Sequence, residues 1–191
     1  MDSQAAKKRV EEYRLRLKTL KSERSLFEAQ WDSISDVIRP EAASFTSNWN
    51  QQGERKGQKL YDAVGAHSNQ LLAAGFYSML TNPSTRWFQL ATNNRDLQDD
   101  RDTQIWLRDV SDVMFQEIQR PQTGFQTALH ELYLDYGAYG NGILFITTAE
   151  DRTTLNFTAL PLQESYFVEG PTGQVDALYR CYQRTVQQVV D

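Results

Sequence analysis

The chain has 191 residues, of which 40% are hydrophobic and 24% are charged. This composition predicts a globular protein with one core or two small ones and excludes a disordered chain, and the lack of any run of about 18 apolar residues excludes a transmembrane helix. The single cysteine, Cys181, cannot form an internal disulfide, and the N-terminus lacks the apolar segment of a secretory signal. Both features predict synthesis in a reducing, intracellular compartment.

Charge is distributed unevenly around the net value of -5. Residues 1–24 contain eight Lys or Arg and four acidic residues, whereas the remaining residues contain twelve and twenty-one. The basic arm is either a solvated helix face or a segment that contacts nucleic acid phosphates. The acidic body disfavours tight, sequence-independent DNA binding by the body itself.

The N-terminal segment has the apolar spacing of an amphipathic helix, interrupted only by Arg24. Ser25 to Glu28 has the form of a capping box, so the segment is either one long helix or two helices joined near Ser22–Ser25. Arg39-Pro40 should end it. A coiled-coil dimer is the rival interpretation, but the pattern is short and broken. The apolar positions are Val10, Tyr13, Leu17, Leu20, Phe27, Trp31, Ile34 and Ile38.

A polar loop is predicted over residues 41–56, where burial of Phe45 and Trp49 against a neighbouring subunit would give the loop a purpose. A helix is predicted over residues 57–80, ended by Asn82-Pro83, followed by a short strand over residues 87–90. The core-facing positions expected in that helix are Leu60, Val64, Leu71, Ala74 or Gly75, and Met79.

Two further helices are predicted over residues 96–120 and 125–136. The first begins with Asp99, Asp100 and Asp102, which interact favourably with the positive end of a helix dipole, and it ends by Pro121. The second has Thr123 or Gly124 before it and Gly137 after it. Its apolar face comprises Phe125, Ala128, Leu129, Leu132, Tyr133 and Tyr136.

The C-terminal third changes to the two-residue period of β-strands. Strands are predicted at 143–148, 155–159, 166–168 and 175–183, joined by turns at 151–152 and 169–173. The predicted fold is α+β, with N-terminal helices packed on a C-terminal antiparallel meander. Residues 185–191 resemble the start of a further helix, so the sequence is expected to be part of a longer chain.

Two regions are expected from this pattern: a helical arm or hairpin over residues 1–40, and an α+β region over residues 41–191. In the second region helices extend to about residue 137 and the meander covers about residues 141–183. The arm and this region are expected to form one compact unit.

No catalytic, cofactor-binding or metal-binding residue is predicted. His67 and His130 lack Cys or carboxylate partners at ligand spacings, and Cys181 has no histidine nearby in sequence. Glu131 and Asp135 lie four residues apart and could pair, although solvent-facing acids are commoner. The glycines from Gly137 to Gly142 follow a helix and precede a strand, which is the wrong order for a phosphate-binding loop.

Several sequence blocks resemble the portal, or head-to-tail connecting, proteins of short-tailed bacteriophages. The chain is similar to that family in the order of the blocks as well as in their content, and the similarity covers nearly the whole chain. The blocks are Arg24, Phe27-Glu28, Trp31 and Ile34; Tyr61-Asp62; Leu71 to Trp87-Phe88; Phe125 to Asn141-Gly142; Leu155 to Tyr166; and Gly173 to Arg180.

The resemblance implies a homo-oligomeric ring, usually of twelve subunits, at one capsid vertex of the virion. Double-stranded DNA would pass through the ring without sequence specificity during packaging and ejection, and the ring itself would hydrolyse nothing. Implied partners are the terminase motor, coat or scaffold proteins and tail adaptor proteins, with assembly in the host cytoplasm. The family continues into stem, clip and crown regions, so these residues would form mostly the outer, wing-like region.

Two alternatives from other functional classes stay open at the level of sequence. One is a small cytoplasmic enzyme whose active site lies between helices and sheet without a recognisable motif. The other is a DNA-binding accessory protein that uses its basic arm, for which steeply salt-dependent duplex binding would be the signature.

Overall fold

The structure is a computed structural model that describes residues 3–46, 60–149 and 153–187. The helices are α1 (Ser3–Ile38), α2 (Val64–Leu80), α3 (Arg95–Gln98), α4 (Arg101–Ile118) and α5 (Phe125–Tyr139). The strands are β1 (Leu144–Thr148), β2 (Leu155–Ala159), β3 (Ser165–Glu169) and β4 (Val175–Arg180). Short 3-10 turns occupy Pro121–Thr123 and Leu162–Glu164. The α+β class predicted from the sequence is confirmed.

The strands pair antiparallel, as predicted, but they form two separate hairpins instead of one continuous meander. β1 pairs with β2, and β3 pairs with β4. Pro161, which has no N–H to donate to a ladder, and the 3-10 turn at Leu162–Glu164 interrupt the chain between β2 and β3. The last strand also ends at Arg180 instead of continuing to residue 183. The turn predicted at 151–152 lies outside the described residues.

The chain divides into two compact units. Unit 1 contains the residues up to Ala66 and those from Pro161 onward, and unit 2 contains His67–Leu160. The assignment of an arm and a wing-like region stays a prediction. No helix in the described part of the chain is both long and apolar enough to cross a bilayer.

Unit 1 contains α1 packed on the β3–β4 hairpin. α1 is one continuous helix. The hydroxyl of Ser25 donates to the carbonyl of Ser22, so Ser25 does not cap a second helix. The helix ends at Ile38, before Arg39-Pro40, as predicted. At the far end of the described chain Val186 and Gln187 are helical, as expected for the start of a helix.

Unit 2 contains a core between the helices and the β1–β2 hairpin. The predicted apolar face of α5 supplies most of it, although Tyr136 is half exposed. α5 extends past Gly137 and is capped by Gly140, whose φ of 74° favours glycine and whose amide donates to Tyr136. The buried cluster comprises Ala73, Phe125, Ala128, Leu129, Tyr133, Leu134 and Phe157.

Helix α2 differs from its prediction at its start and in its buried face. Within the described residues it begins at Val64, whose amide donates to the Asp62 side chain at 3.0 Å, so the expected start at residue 57 is wrong. The predicted core positions Val64, Leu71 and Met79 are exposed. Asn69 and Ala73 are buried instead, and Asn69 Nδ2 donates to the carbonyl of Leu134 at 3.1 Å.

Residues 87–90 were predicted to form a strand, but they have no regular secondary structure and no strand partner among the described residues. The ring of Trp87 stacks on that of Phe125, with centroids 6.4 Å apart, and the amide of Leu90 donates to Ser111 Oγ at 3.0 Å. A side chain therefore satisfies a backbone group that a neighbouring strand would otherwise have satisfied.

The predicted helix over residues 96–120 is divided into α3 and α4 by Asp99 and Asp100. Asp100 caps α4 by accepting hydrogen bonds from the hydroxyl of Thr103 at 2.6 Å and from its amide at 2.8 Å. These bonds, the hydroxyl first, hold the pKa of Asp100 below its usual value. The favourable placement of acids at this helix start is thus confirmed, with Asp102 in the first turn.

Asp100→Asn is expected to lower stability at neutral pH and to have little effect in acid. Because the folded-state pKa of Asp100 lies below the unfolded value of about 3.9, the carboxylate's contribution is complete above that value and is lost as pH falls through the folded-state pKa. Urea midpoints of both proteins between pH 2 and pH 7 measure the difference. A difference between the two urea midpoints that stayed constant from pH 2 to pH 7 would contradict a helix cap that depends on the charge of Asp100.

Candidate interaction surfaces

Arg24, the one interruption in the apolar spacing of α1, fastens that helix to the start of β3. All five N–H groups of its guanidinium have acceptors, which is the full capacity of the side chain. Nε donates to Glu28 at 2.8 Å. Nη1 donates to the carbonyls of Leu162 at 3.1 Å and Ser165 at 2.8 Å. Nη2 donates to the carbonyl of Gln163 at 3.0 Å and to the Tyr166 hydroxyl at 2.9 Å.

The guanidinium of Arg24 also lies over the ring of Tyr166, 3.7 Å from its centroid. Burial raises the pKa of the Tyr166 hydroxyl, and the positive charge of Arg24 partly opposes that shift. The phenol therefore stays neutral at physiological pH and can both accept from Arg24 and form part of the packing. With every Arg24 donor engaged inside unit 1, this cluster stabilises the fold and has no free donor for an external ligand.

Asp32 holds the beginning of the loop that follows α1. Its carboxylate accepts from the amides of Phe45 at 2.7 Å and Thr46 at 3.1 Å, from Ser44 Oγ at 3.2 Å, and from the Thr46 hydroxyl. Phe45 is buried beside Trp31, with ring centroids 5.1 Å apart. The expected burial of Phe45 against a neighbouring subunit is therefore corrected, because Trp31 of the same unit covers it. Trp49 lies outside the described residues.

The titratable residues considered from sequence do not come together. His67, His130 and Glu131 are exposed. Asp135, expected to face solvent beside Glu131, is buried instead, because α5 also buries Leu134 and Tyr139 and thus more than its predicted face. Across the described ranges no three His, Cys, Asp or Glu side chains are placed to hold a metal ion.

Two open grooves mark the described surface. One is bordered by the extended segment 89–92 and by α4, and its only ionisable lining residues are Arg101 and Arg108. The other, in unit 1, lies between α1 and β3 and includes Arg16, Glu23 and Glu169. Neither groove has a histidine or a cysteine among its lining residues.

The exposed side of α2 carries no charge and is rich in apolar residues, although Ser68 and Ser78 are exposed there too. No Lys, Arg, Asp or Glu occurs between Asp62 and Arg86. Leu71 and Met79 are exposed, Met79 by 84%, and a side chain placed at Gly75 between them would meet open space. Contiguous apolar surface without charge is characteristic of the centres of protein–protein interfaces.

The sequence interpretation missed a second exposed surface, on α4. Trp106 is 63% exposed, and Val113 two turns later is also exposed. Asp102 and Asp109 lie on the same side of the helix, also two turns apart. The sequence did contain a signal for this surface, because Trp106 and Val113 alternate with Asp102 and Asp109 along one face of the helix. A face that mixes apolar and charged residues in this way is suited to contact another protein.

The chain is similar in sequence to proteins of one bacteriophage family, as a family model and two relatives show. The family described as bacteriophage head to tail connecting protein matches residues 10–191. The portal protein of Salmonella phage epsilon15 is 29% identical over 174 residues, which are 91% of this chain and 31% of that protein. The probable portal protein of Bordetella phage BPP-1 is 29% identical over 171 residues, 90% of this chain and 30% of the relative. The chain spans about a third of the length of these curated relatives. The match along almost all of the sequence confirms the resemblance, and the chain belongs to the bacteriophage head to tail connecting protein family.

Proposed function

We propose that this chain acts as a structural subunit of a phage portal, the connector between head and tail. The observation that carries the proposal is the family match from residue 10 to residue 191, joined by two portal relatives that align with at least nine-tenths of the chain. The role is one of assembly, without a chemical reaction performed by the chain itself.

The exposed surfaces support this role. A subunit of an assembly must present apolar area that is covered only when its neighbours are in place. The uncharged face of α2, with Leu71 and Met79 exposed on either side of the open position at Gly75, has this property. Small residues flanked by large apolar ones let a partner helix approach closely.

The finer features of the proposal follow from the family. The full-length protein forms a homo-oligomeric ring, for which the resemblance implies twelve copies, at the portal vertex of the virion. Double-stranded DNA passes through it without sequence specificity during packaging and ejection. Its partners are the terminase motor, coat or scaffold proteins and tail adaptor proteins, and it assembles in the host cytoplasm. The residues described here contribute an outer, wing-like region.

Electron microscopy of the full-length gene product tests the proposal. Class averages should show closed rings with rotational symmetry and a central opening. A product that stays monomeric at every concentration and ionic strength, while being well folded by circular dichroism, would contradict the portal role.

Leu71→Glu with Met79→Glu is expected to prevent ring formation while leaving the fold intact. Both side chains are exposed, so the charges cost little in the monomer, but two carboxylates buried without partners at a subunit contact would cost several kcal/mol. Ring yield by electron microscopy and thermal stability of the monomer are the two measurements.

Gln70→Glu is the matched control for this double variant, because it adds a carboxylate at an exposed position of α2 outside the Leu71–Met79 face. It should assemble as the unmodified protein does. Normal rings from the double variant would show that this face of α2 is not buried in the assembly.

A further inference from the structure

The first four turns of α1 are exposed and have few packing contacts, which are the ring of Tyr13 on Tyr179 and the position of Arg16 at the groove beside β3. Every residue from 4 to 16 is exposed, and the ring contact of Tyr13 with Tyr179, at 6.3 Å between centroids, leaves Tyr13 56% exposed. Isolated helices of this length are marginal in water, so α1 retains this segment as a continuation of its packed half. An exposed helical segment with apolar side chains is suited to contact another molecule.

A basic stripe follows this segment, which we define as Arg9, Val10, Tyr13 and Arg16. At 100° per residue Arg9 and Arg16 lie within about 20° of each other around the helix axis, with Tyr13 and Val10 beside them on one side. Glu12 borders the two arginines on the other side, and Glu11 lies on the opposite half. In the described structure neither Arg9 nor Arg16 forms an ion pair with another residue of the chain. Both arginines are exposed, so an external carboxylate can compete for them with Glu12 and, at Arg16, with Glu23 and Glu169 of the neighbouring groove.

An acidic stripe follows α4 in unit 2, which we define as Asp102, Trp106, Asp109 and Val113. All four side chains are exposed and fall within about 60° around the helix axis. Asp109 contacts Arg108 only at 3.5 Å, in a pair that is more than half exposed and therefore weak. A tryptophan exposed between two carboxylates is the type of residue that dominates interface energies once it is buried.

The two stripes match in spacing and are opposite in charge. Arg9 and Arg16 are seven residues apart, as are Asp102 and Asp109, and each spacing is about 10.5 Å along a helix. The aromatic rings of Tyr13 and Trp106 lie within the respective charged pairs. The larger charge distribution agrees, since residues 1–24 have an excess of four basic residues, whereas unit 2 has eleven acidic and six basic residues.

We propose that the basic stripe of one copy docks on the acidic stripe of a second copy of this chain. The contact is heterologous, since each copy presents one surface and receives the other. A heterologous contact that is repeated with a suitable rotation closes into a ring. The inference therefore rests on the proposed portal role and identifies the surfaces that join neighbouring subunits.

Charge reversal with complementation tests this contact in the full-length gene product. Arg9→Glu with Arg16→Glu makes both stripes acidic, and Asp102→Lys with Asp109→Lys makes both basic. Each variant alone should lose about tenfold or more in apparent self-association, because like charges face each other at every contact. An equimolar mixture should recover assembly, in rings where the two variants alternate, as read by native mass spectrometry of isotope-labelled partners.

Lys8→Glu with Lys18→Glu is the control, since it makes the same change of charge on the far side of α1 and should assemble normally. Circular dichroism verifies that each variant is folded.

The inference is overturned if each reversed variant alone forms rings as abundantly as the unmodified protein does, and the portal role is then left intact. Failure of the unmodified protein to form rings would instead count against the portal role. Loss of duplex DNA binding in the Arg9 and Arg16 variant, with unchanged assembly, would also overturn the inference and would assign the basic stripe to nucleic acid.

Discussion

Arg24→Met is expected to destabilise unit 1 by about 3–5 kcal/mol, the usual cost of removing one partner from a buried ion pair. The Arg24 side chain is only 9% exposed, and its removal leaves the Glu28 carboxylate, three backbone carbonyls and the Tyr166 hydroxyl without their donor. Methionine fills part of the volume but donates no hydrogen bond. Urea denaturation followed by circular dichroism measures the loss.

Two further variants make the Arg24 result specific. Arg14→Met changes an exposed arginine of the same helix and should alter stability by less than about 0.5 kcal/mol. Arg24→Lys keeps the charge but cannot supply five donors in a planar arrangement. Its free energy of unfolding should therefore lie between those of the Arg24→Met and Arg14→Met proteins. An Arg24→Met protein as stable as the Arg14 variant would refute the role of Arg24 in fastening α1 to β3.

Phe125→Ala should destabilise unit 2 by about 3–5 kcal/mol, which is typical of deleting a core phenylalanine. Phe125 is 5% exposed and lies between two aromatic rings. The Phe157 ring approaches it edge-on at 4.9 Å, and the Trp87 ring stacks nearly parallel to it at 6.4 Å. The substitution leaves a cavity at the point where α5, β2 and the extended segment 87–90 meet. Tryptophan fluorescence during urea unfolding reports on this site through Trp87.

The comparison for Phe125 is Trp106→Ala, which removes a larger aromatic side chain from an exposed position. It should change the stability of the monomer by less than about 0.5 kcal/mol. Equal destabilisation by both variants would mean that Phe125 is not the centre of a packed core, or that Trp106 is covered in the monomer.

The sequence predicted the helices well where local signals determine their ends. Pro40, Pro83 and Pro121 each follow a helix that stops before them, since proline restricts the residue that precedes it. The two-residue alternation of Leu155, Phe157 and Ala159 likewise placed β2 and identified its buried side. These signals act within a few residues and do not depend on the rest of the fold.

Predictions failed where distant parts of the chain decide the outcome. The apolar residues of α2 were assigned to the core, but Leu71 and Met79 are exposed while Asn69 is buried, because the amide of Asn69 has a backbone acceptor on α5. The interruption at Arg24 was visible in the sequence, yet its partners are mainly carbonyls about 140 residues away. Backbone carbonyls carry no sequence signature, so no pattern could have identified them.

The candidate surfaces were predictable only in part. The excess of positive charge in residues 1–24 is evident from the sequence, but the exposure of residues 4–16 is a property of the fold. Apolar character alone does not tell whether Trp106 is buried, and only the structure shows that it is exposed and that the buried side of α4 includes Ser111. Family resemblance supplied the proposed function, while the structure supplied the residues on which an assembly contact can be tested.

Native mass spectrometry of the full-length gene product, over a range of protein and salt concentrations, tests most directly the claim that these surfaces exist for self-association. We expect one dominant species whose mass is a fixed multiple of the subunit mass. It should dissociate as ionic strength rises, because opposite charges hold part of the contact. A folded protein with the mass of a single subunit at all concentrations and salt conditions would contradict it.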